Sequence, residues 1–180
     1  IFRVLAPCDD SQASPQALEA AAEFDWRMPV EMFVLTVEEP LQTGAQPVVA
    51  ERELSEESTA FPAAIKIRRL HLKGLFLHAV LDVVDKHCID LIIAGTRGAR
   101  GWDGIFMGSH AERIVRVAPV PVLTIQQRPH LSGLSDIVVP IDIHHDPAEL
   151  RSCLSKLPGL PHGRFHLLYI TESPDSERTA

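Results

Sequence analysis

Asp90-Leu91-Ile92-Ile93-Ala94-Gly95-Thr96-Arg97-Gly98-Ala99-Arg100-Gly101-Trp102-Asp103-Gly104-Ile105-Phe106-Met107-Gly108-Ser109 carries the reading from which the rest of the chain follows. Its first part is a short aliphatic run without a polar interruption, the pattern of a strand covered on both faces inside a parallel sheet. Glycines then accumulate up to Gly108-Ser109, where a helix begins with Ala111, Ile114, Val115 and Ala118 on one face. A glycine-rich link between a central strand and a helix sits where open parallel sheets gather ligands, at the carboxyl ends of their strands. Gly95 and Gly98 let the backbone approach a ligand closely, and the free N–H groups of the following helix attract phosphate oxygens. Arg97, Arg100 and His110 against Asp103 make the loop a local basic island that balances part of a polyphosphate's charge. The spacing is neither G-x-x-x-x-G-K-[ST] nor a G-x-G-x-x-G after the first strand, so the Walker and dinucleotide fingerprints are both absent.

Working outward, short apolar runs alternate with helical patterns. Leu77, Leu81, Val84 and Cys88 form a helical stripe leading into the central strand, and Ile65 to Leu72 alternates as a strand that ends near Gly74. Met32 to Val37 is another strand, closed by Glu38-Glu39-Pro40. At the head of the chain, Arg3-Val4-Leu5-Ala6-Pro7 is a buried strand followed by Ser14-Pro15, an N-cap and first-turn proline, with Leu18, Ala21, Ala22 and Trp26 at helical spacing. Residues 48–61 are expected to form a short, poorly patterned helix. Beyond the glycine loop, Pro119-Val120-Pro121-Val122-Leu123-Thr124-Ile125 reads as an edge strand, because proline cannot donate to a ladder. The fold class is therefore α/β: an open five-stranded parallel sheet with helices on both faces, Rossmann-like. A bare edge invites pairing, so a homodimer, or intramolecular tandem pairing, is expected through residues 120–126.

Composition bounds the function classes. The chain has 180 residues, 46% hydrophobic and 23% charged, which suits one ordinary globular domain plus a fragment, or two very small ones. Seventeen Lys and Arg against 24 Asp and Glu give a net charge of −7, which argues against nucleic acid as a partner. No apolar run approaches the roughly 20 residues needed to cross a bilayer, so no membrane partner is expected. The sequence starts at Ile1-Phe2 without a basic segment and cleavage site, which points to a cytoplasmic protein, and the missing initiator Met points to a trimmed or partly given chain. Cys8, Cys88 and Cys153 are odd in number and widely spaced, as expected of reduced thiols rather than a disulfide framework.

The tail repeats the head. Val138-Val139-Pro140-Ile141-Asp142 matches Leu5-Ala6-Pro7-Cys8-Asp9, Asp146-Pro147 and Leu150 match Ser14-Pro15 and Leu18, and Phe165 to Ile170 matches Met32 to Val37. The expected organisation is a domain carrying the glycine loop over 1–127, a linker over 128–135 and an incomplete second β-α-β unit over 136–180. That second unit lacks a glycine loop. It is expected to bind no such anion by itself and to lean on the first domain, a second copy or a further stretch of chain.

The spacing G-x2-G-x9-G-S, with Pro7-Cys8-Asp9 and Ala118-Pro119-Val120-Pro121-Val122, resembles the universal stress protein family. The resemblance covers residues 1–127 and, in part, 136–174. It implies a five-stranded parallel α/β sandwich, often dimeric through the last strand, whose glycine-bearing members bind ATP. By matching positions, Asp9 would face the adenosine with Pro7 and Cys8 lining it, and Val37 would meet the adenine. Gly95, Arg97 and Gly98 would contact ribose and phosphates, while Gly108, Ser109 and His110 would hold the phosphates. Ala111 stands where nucleotide-binding relatives often have Ser or Thr, and His110 is bulkier than the usual residue. These departures imply looser ATP binding, or a shift toward AMP or ADP, with Mg2+ as an accompanying ion. The role implied is regulatory or stress-responsive, with at most slow ATP hydrolysis, since no side chain is evidently placed to activate water.

Plainer readings stand beside these. The glycine loop also reads as a βα turn without a ligand, Asp9 as a turn cap with Asp10 and Ser11, and Arg97 and Arg100 as solvated charges. Cys8 reads equally as a small packed residue, and Glu51, Glu53, Glu56 and Glu57 as a solvated helix face. His144-His145 with Asp142 and Asp146 has metal-ligand residue types, but adjacent histidines point different ways. A ligand-free interaction scaffold of the same fold is the alternative function. A nucleotide-dependent enzyme would need a substrate pocket that so short a chain hardly supplies.

Overall fold

The computed structural model describes residues 1–8, 14–24, 26, 28–39, 52–54, 65–95, 109–125, 136–141, 146, 148, 151, 152, 154 and 164–169. The elements run β1 (Phe2–Cys8), α1 (Ser14–Glu23), β2 (Val30–Glu38), β3 (Arg52–Leu54), β4 (Ile65–Lys73), α2 (Phe76–Lys86), β5 (Leu91–Gly95), α3 (Ser109–Val117), β6 (Val122–Ile125), β7 (Asp136–Ile141) and β8 (Arg164–Tyr169). The larger sheet has the order β3-β4-β2-β1-β5-β6. Its last five strands in that order are parallel, as the sequence predicts, with β5 inside and β6 at the edge. Among the described residues, no helix is long and apolar enough to cross a membrane.

Why the helices fall on both faces follows from strand order. A crossover between parallel strands is right-handed, so reversing the direction of travel across the sheet moves the connecting helix to the other face. The chain travels outward from β1 to β2 through α1, then returns past β1 to β5 through α2 and on to β6 through α3. Accordingly Val4, Ala6, Met32, Val34, Leu91 and Ile93 pack with Ala20 and Ala21 of α1. Leu5, Phe33, Leu35, Leu70 and Ile92 pack with α2 and with Ile114 of α3 on the opposite face. Alternate residues of one strand thus feed two cores, which is the reason for the uninterrupted apolar runs.

Three expectations are corrected. Residues 52–54 form a short antiparallel edge strand against Arg69–His71, where a helix over 48–61 was expected. The acidic segment has no apolar stripe with which to hold a helix on the core, whereas the outer edge of β4 offers unpaired backbone groups to three extended residues. In α2 the buried stripe is Phe76, Ala79, Val80, Val83 and Val84. Leu77 and Leu81 flank it, and Cys88 lies past the helix end, exposed and at φ 49°. Trp26 also lies past its helix. Its indole Nε1–H donates to the Ala21 carbonyl at 2.6 Å, satisfying one of the acceptors that a helix end leaves open, and its ring stacks on Phe24.

The amino-terminal edge of the sheet carries a charge cluster remote from the glycine-rich side. Glu31 lies 3.5 Å from Arg68, 3.7 Å from Arg3 and 3.8 Å from Lys66, so one carboxylate gathers three cations. Arg3 also uses its backbone N–H to reach Asp90 at 2.8 Å, and its carbonyl accepts from the Asp90 N–H at 2.8 Å.

A second, two-stranded sheet pairs β7 with β8 in parallel. Val138 is level with His166 and Pro140 with Leu168, as Leu5 is level with Phe33 and Pro7 with Leu35. Asp146 Oδ1 accepts the Ala148 N–H at 2.8 Å, an N-cap for the helical residues 148, 151, 152 and 154. The faces are covered differently from those of the first pair: Val138 is 59% and Leu168 46% exposed, whereas Leu5 and Leu35 are fully buried. The linker expected at 128–135 lies outside the described residues.

Candidate functional site

β1 and β5 are neighbours from which the chain departs in opposite directions, β1 toward β2 and β5 toward β6. Connections that diverge in this way leave a crevice between the carboxyl ends of the two strands. Pro7 contributes to it. Arg3 directs both its N–H and its carbonyl to the β5 side at Asp90, so the residues at alternate positions, Leu5 and Pro7, face that side too. Proline has no N–H to give there, and the recorded β1–β5 ladder comprises Val4–Leu91 and Leu5–Ile92. Counting on from Leu5 and Ile92 brings Cys8 level with Gly95, the last residues of the two strands.

Val37 lies one residue beyond Thr36, the β2 partner of Cys8, and packs partly buried against the core beneath α2. Pro7, Cys8, Val37 and Gly95 therefore share the carboxyl edge of the sheet. Cys8 is 6% exposed, and its thiol donates to the Ala6 carbonyl at 3.6 Å. Asp9, Arg97, Gly98 and Gly108 lie outside the described residues, as do Arg100, Asp103, His144 and His145. Ser109 opens α3 and His110 follows, so their backbone N–H groups belong to the first turn, which has no intrahelical acceptor. The His110 ring is turned to α2 and stacks on Phe76, with centroids 4.3 Å apart and planes 20° from parallel.

Sequence reasoning missed two residues here. Leu75, at the N-cap of α2, has no side-chain cap, and Glu39 supplies one from a distance: its Oε1 accepts the Phe76 N–H at 2.9 Å. Phe76 itself carries the contact to α3. The available signal was a helix start without Ser, Thr, Asp or Asn, which calls for a remote acceptor. Gly74 completes the turn at φ 146°, with its N–H donating to the Glu38 carbonyl at 3.0 Å. Beside it lies a cleft of about 150 Å3 lined by residues that include Lys73, His78 and Asp82. It is well below the several hundred Å3 typical of sites that bury a nucleotide-sized ligand. Among the described residues, no group of three His, Cys, Asp or Glu is placed to hold a metal.

Residues 1–126 match the model of the universal stress protein family. The chain belongs to that family. It is 31% identical over 136 residues to universal stress protein A homolog 1 of Coxiella burnetii, an alignment covering 68% of this chain and 94% of that protein. Universal stress protein MJ0531 of Methanocaldococcus jannaschii is 27% identical over 144 residues, covering 69% and 82% respectively. Among solved structures, a universal stress protein from Archaeoglobus fulgidus superposes with a TM-score of 0.67 at 20% identity. That likeness of fold covers 96% of this chain and 68% of the other. The hypothetical protein MJ0577 superposes with a TM-score of 0.53 at 16% identity, covering 71% of this chain and 97% of its own.

In this universal stress protein the strand end nearest Val37 also carries an ion pair. A hydrogen bond from Lys73, 2.9 Å from Glu38, and the charge of Lys73 hold the Glu38 carboxyl below its ordinary range, with a smaller contribution from His71. A lowered folded-state pKa contributes stability that is complete above the unfolded carboxylate's pKa and lost as pH falls through the lowered value. Both partners are more than half exposed, so that contribution is small. Lys73→Met should raise the Glu38 pKa toward the ordinary value, read by NMR titration of the side-chain carboxyl; an unmoved titration would assign the shift elsewhere.

Proposed function

We propose that this universal stress protein binds an adenine nucleotide, ATP, ADP or AMP, in the crevice between the carboxyl ends of β1 and β5. The observation that carries the reading is the reversal of strand order at β1 and β5, neighbouring strands from whose carboxyl ends the chain departs in opposite directions, with Gly95 leading in sequence into the glycine-rich segment and α3. Pro7, Cys8 and Asp9 would line the nucleoside, with Val37 against the adenine. Gly95, Arg97 and Gly98 would meet the ribose and phosphates, and the amides of Gly108, Ser109 and His110 would receive the phosphate tail, with Mg2+ accompanying a triphosphate. The reaction side is minor: the role is that of a cytoplasmic regulatory module in a stress response, with hydrolysis slow at most. Residues 136–180 act as an incomplete second unit that contributes packing rather than nucleotide affinity, and β6 is the edge through which two copies, or two units, pair.

Isothermal titration with ATP, AMP, adenosine and inorganic tripolyphosphate tests the reading. ATP and AMP should bind, and Asp9→Ala should weaken AMP more than tripolyphosphate. Equal losses for the two would remove Asp9 from the nucleoside. No heat at millimolar nucleotide would favour a ligand-free scaffold instead, for which the position of β6 (Val122–Ile125) at the edge of the sheet is the supporting observation.

A further inference from the structure

We infer that Phe76 is a positioning residue for the phosphate end of the nucleotide site, acting through His110 on the first turn of α3. This rests on the nucleotide reading above. Helix α3 has nine residues, too few to hold its own orientation in water, so its packing decides where its first-turn amides point. Ile114 fixes its middle against the core and Ala111 is buried in its first turn, while Val115 and Val117 are exposed. Its amino-terminal turn is held by the His110 ring lying nearly flat on Phe76.

Phe76 in turn is held twice. Its ring is 5% exposed within the core under α2, and its backbone N–H is bound by Glu39 at 2.9 Å. Glu39 comes two residues after Val37, and the intervening Glu38 is tied to Lys73 at 2.9 Å. A continuous set of contacts therefore runs from the end of β2, on the nucleobase side, through Phe76 to the turn that faces the phosphates. Phe76 touches neither end of the ligand. It fixes the distance between the two ends.

The consequence is selective. Removing the ring should loosen the α3 amides without disturbing the ends of β1 and β2, so affinity for the phosphate tail should fall while nucleoside affinity holds. Phe76→Leu keeps an apolar side chain in the core, and a ring–ring contact of this kind corresponds to about tenfold in affinity at its upper range. Titrations of the full chain with ATP, tripolyphosphate and adenosine should show ATP and tripolyphosphate weakened about five- to tenfold by Phe76→Leu, with adenosine changed less than about twofold. Phe76→Tyr, which keeps the stacked ring, should restore most of the ATP and tripolyphosphate affinity that Phe76→Leu loses. Equal effects on all three ligands, or none, would overturn the inference, as would Phe76→Tyr losing as much phosphate affinity as Phe76→Leu while folding like the parent chain by circular dichroism. A parent chain that binds none of the three ligands would instead defeat the nucleotide reading on which the inference rests.

Discussion

Phe33→Ala should cost about 3–5 kcal/mol of folding stability, the range found when a large aromatic side chain is removed from a packed interior. Phe33 is 1% exposed on β2, one of the two central strands of the larger sheet, and faces the helices α2 and α3. Three kinds of contact depend on its ring. It fills the aliphatic core with Leu5, Leu35 and Leu70; it lies 4.7 Å from the His87 ring at the end of α2; and the Arg68 guanidinium sits 5.2 Å above its face. Alanine would leave a cavity between a rigid sheet and a helix that cannot follow it inward. Arg68 would also lose the surface along which its side chain is laid while remaining beside Glu31, 3.5 Å away. Urea unfolding followed by circular dichroism reads the effect as a lower midpoint at an unchanged slope. A loss below about 1 kcal/mol would mean that the site collapses around the smaller residue, and the description of this face as close-packed would be wrong.

Gly98→Val should lower ATP affinity at least about tenfold while leaving the unfolding midpoint within about 0.5 kcal/mol of the parent chain. The expectation is steric and conformational together. On the nucleotide reading proposed above, a β-branched side chain would crowd the approach of a phosphate to the backbone, and it would restrict that backbone to fewer conformations. In sequence Gly98 lies between the end of β5 and the start of α3, in neither element, so stability should not follow affinity. Titration with ATP alongside thermal unfolding separates the two. Parental affinity in the variant would take the segment out of the site.

How much of this was legible beforehand depended on whether a signal was local. The run from Leu91 to Gly95 could only be buried on both faces, and with the prolines at 119 and 121 it fixed the interior and one edge of the sheet. Pro121 fits the edge because its carbonyl, not an N–H, serves the ladder, accepting from Ile92 at 3.0 Å. The other edge was not legible. Whether three residues near Leu54 extend or coil is decided by the open side of β4, which lies some fifteen residues further along. The rotation of α2 was missed for a similar reason: Leu77 and Phe76 are both apolar, and the pattern alone does not say which one the sheet receives.

The site divides along the same line. Cys8, Val37 and Gly95 come from positions matched to the family, and their common edge follows from each lying at or one residue before the end of a parallel strand. Glu39 and Phe76 were not legible, since their importance comes from an acceptor and a ring meeting across 37 and 34 residues of sequence. Pro7 stands out in sequence only as part of a motif, whereas its effect, withholding a donor from β5, depends on the strand order.

The pair β7 and β8 has a thermodynamic consequence. Every residue of β8 is exposed, and a two-stranded sheet in water holds itself only marginally. Opening there exposes little new apolar surface, so its free energy lies far below that of the six-stranded core, and backbone amides of residues 164–169 would trade their hydrogens for solvent deuterium long before those of β1 or β5. One melting temperature would then describe the larger sheet alone, and a single-transition fit to the whole chain would average two different equilibria.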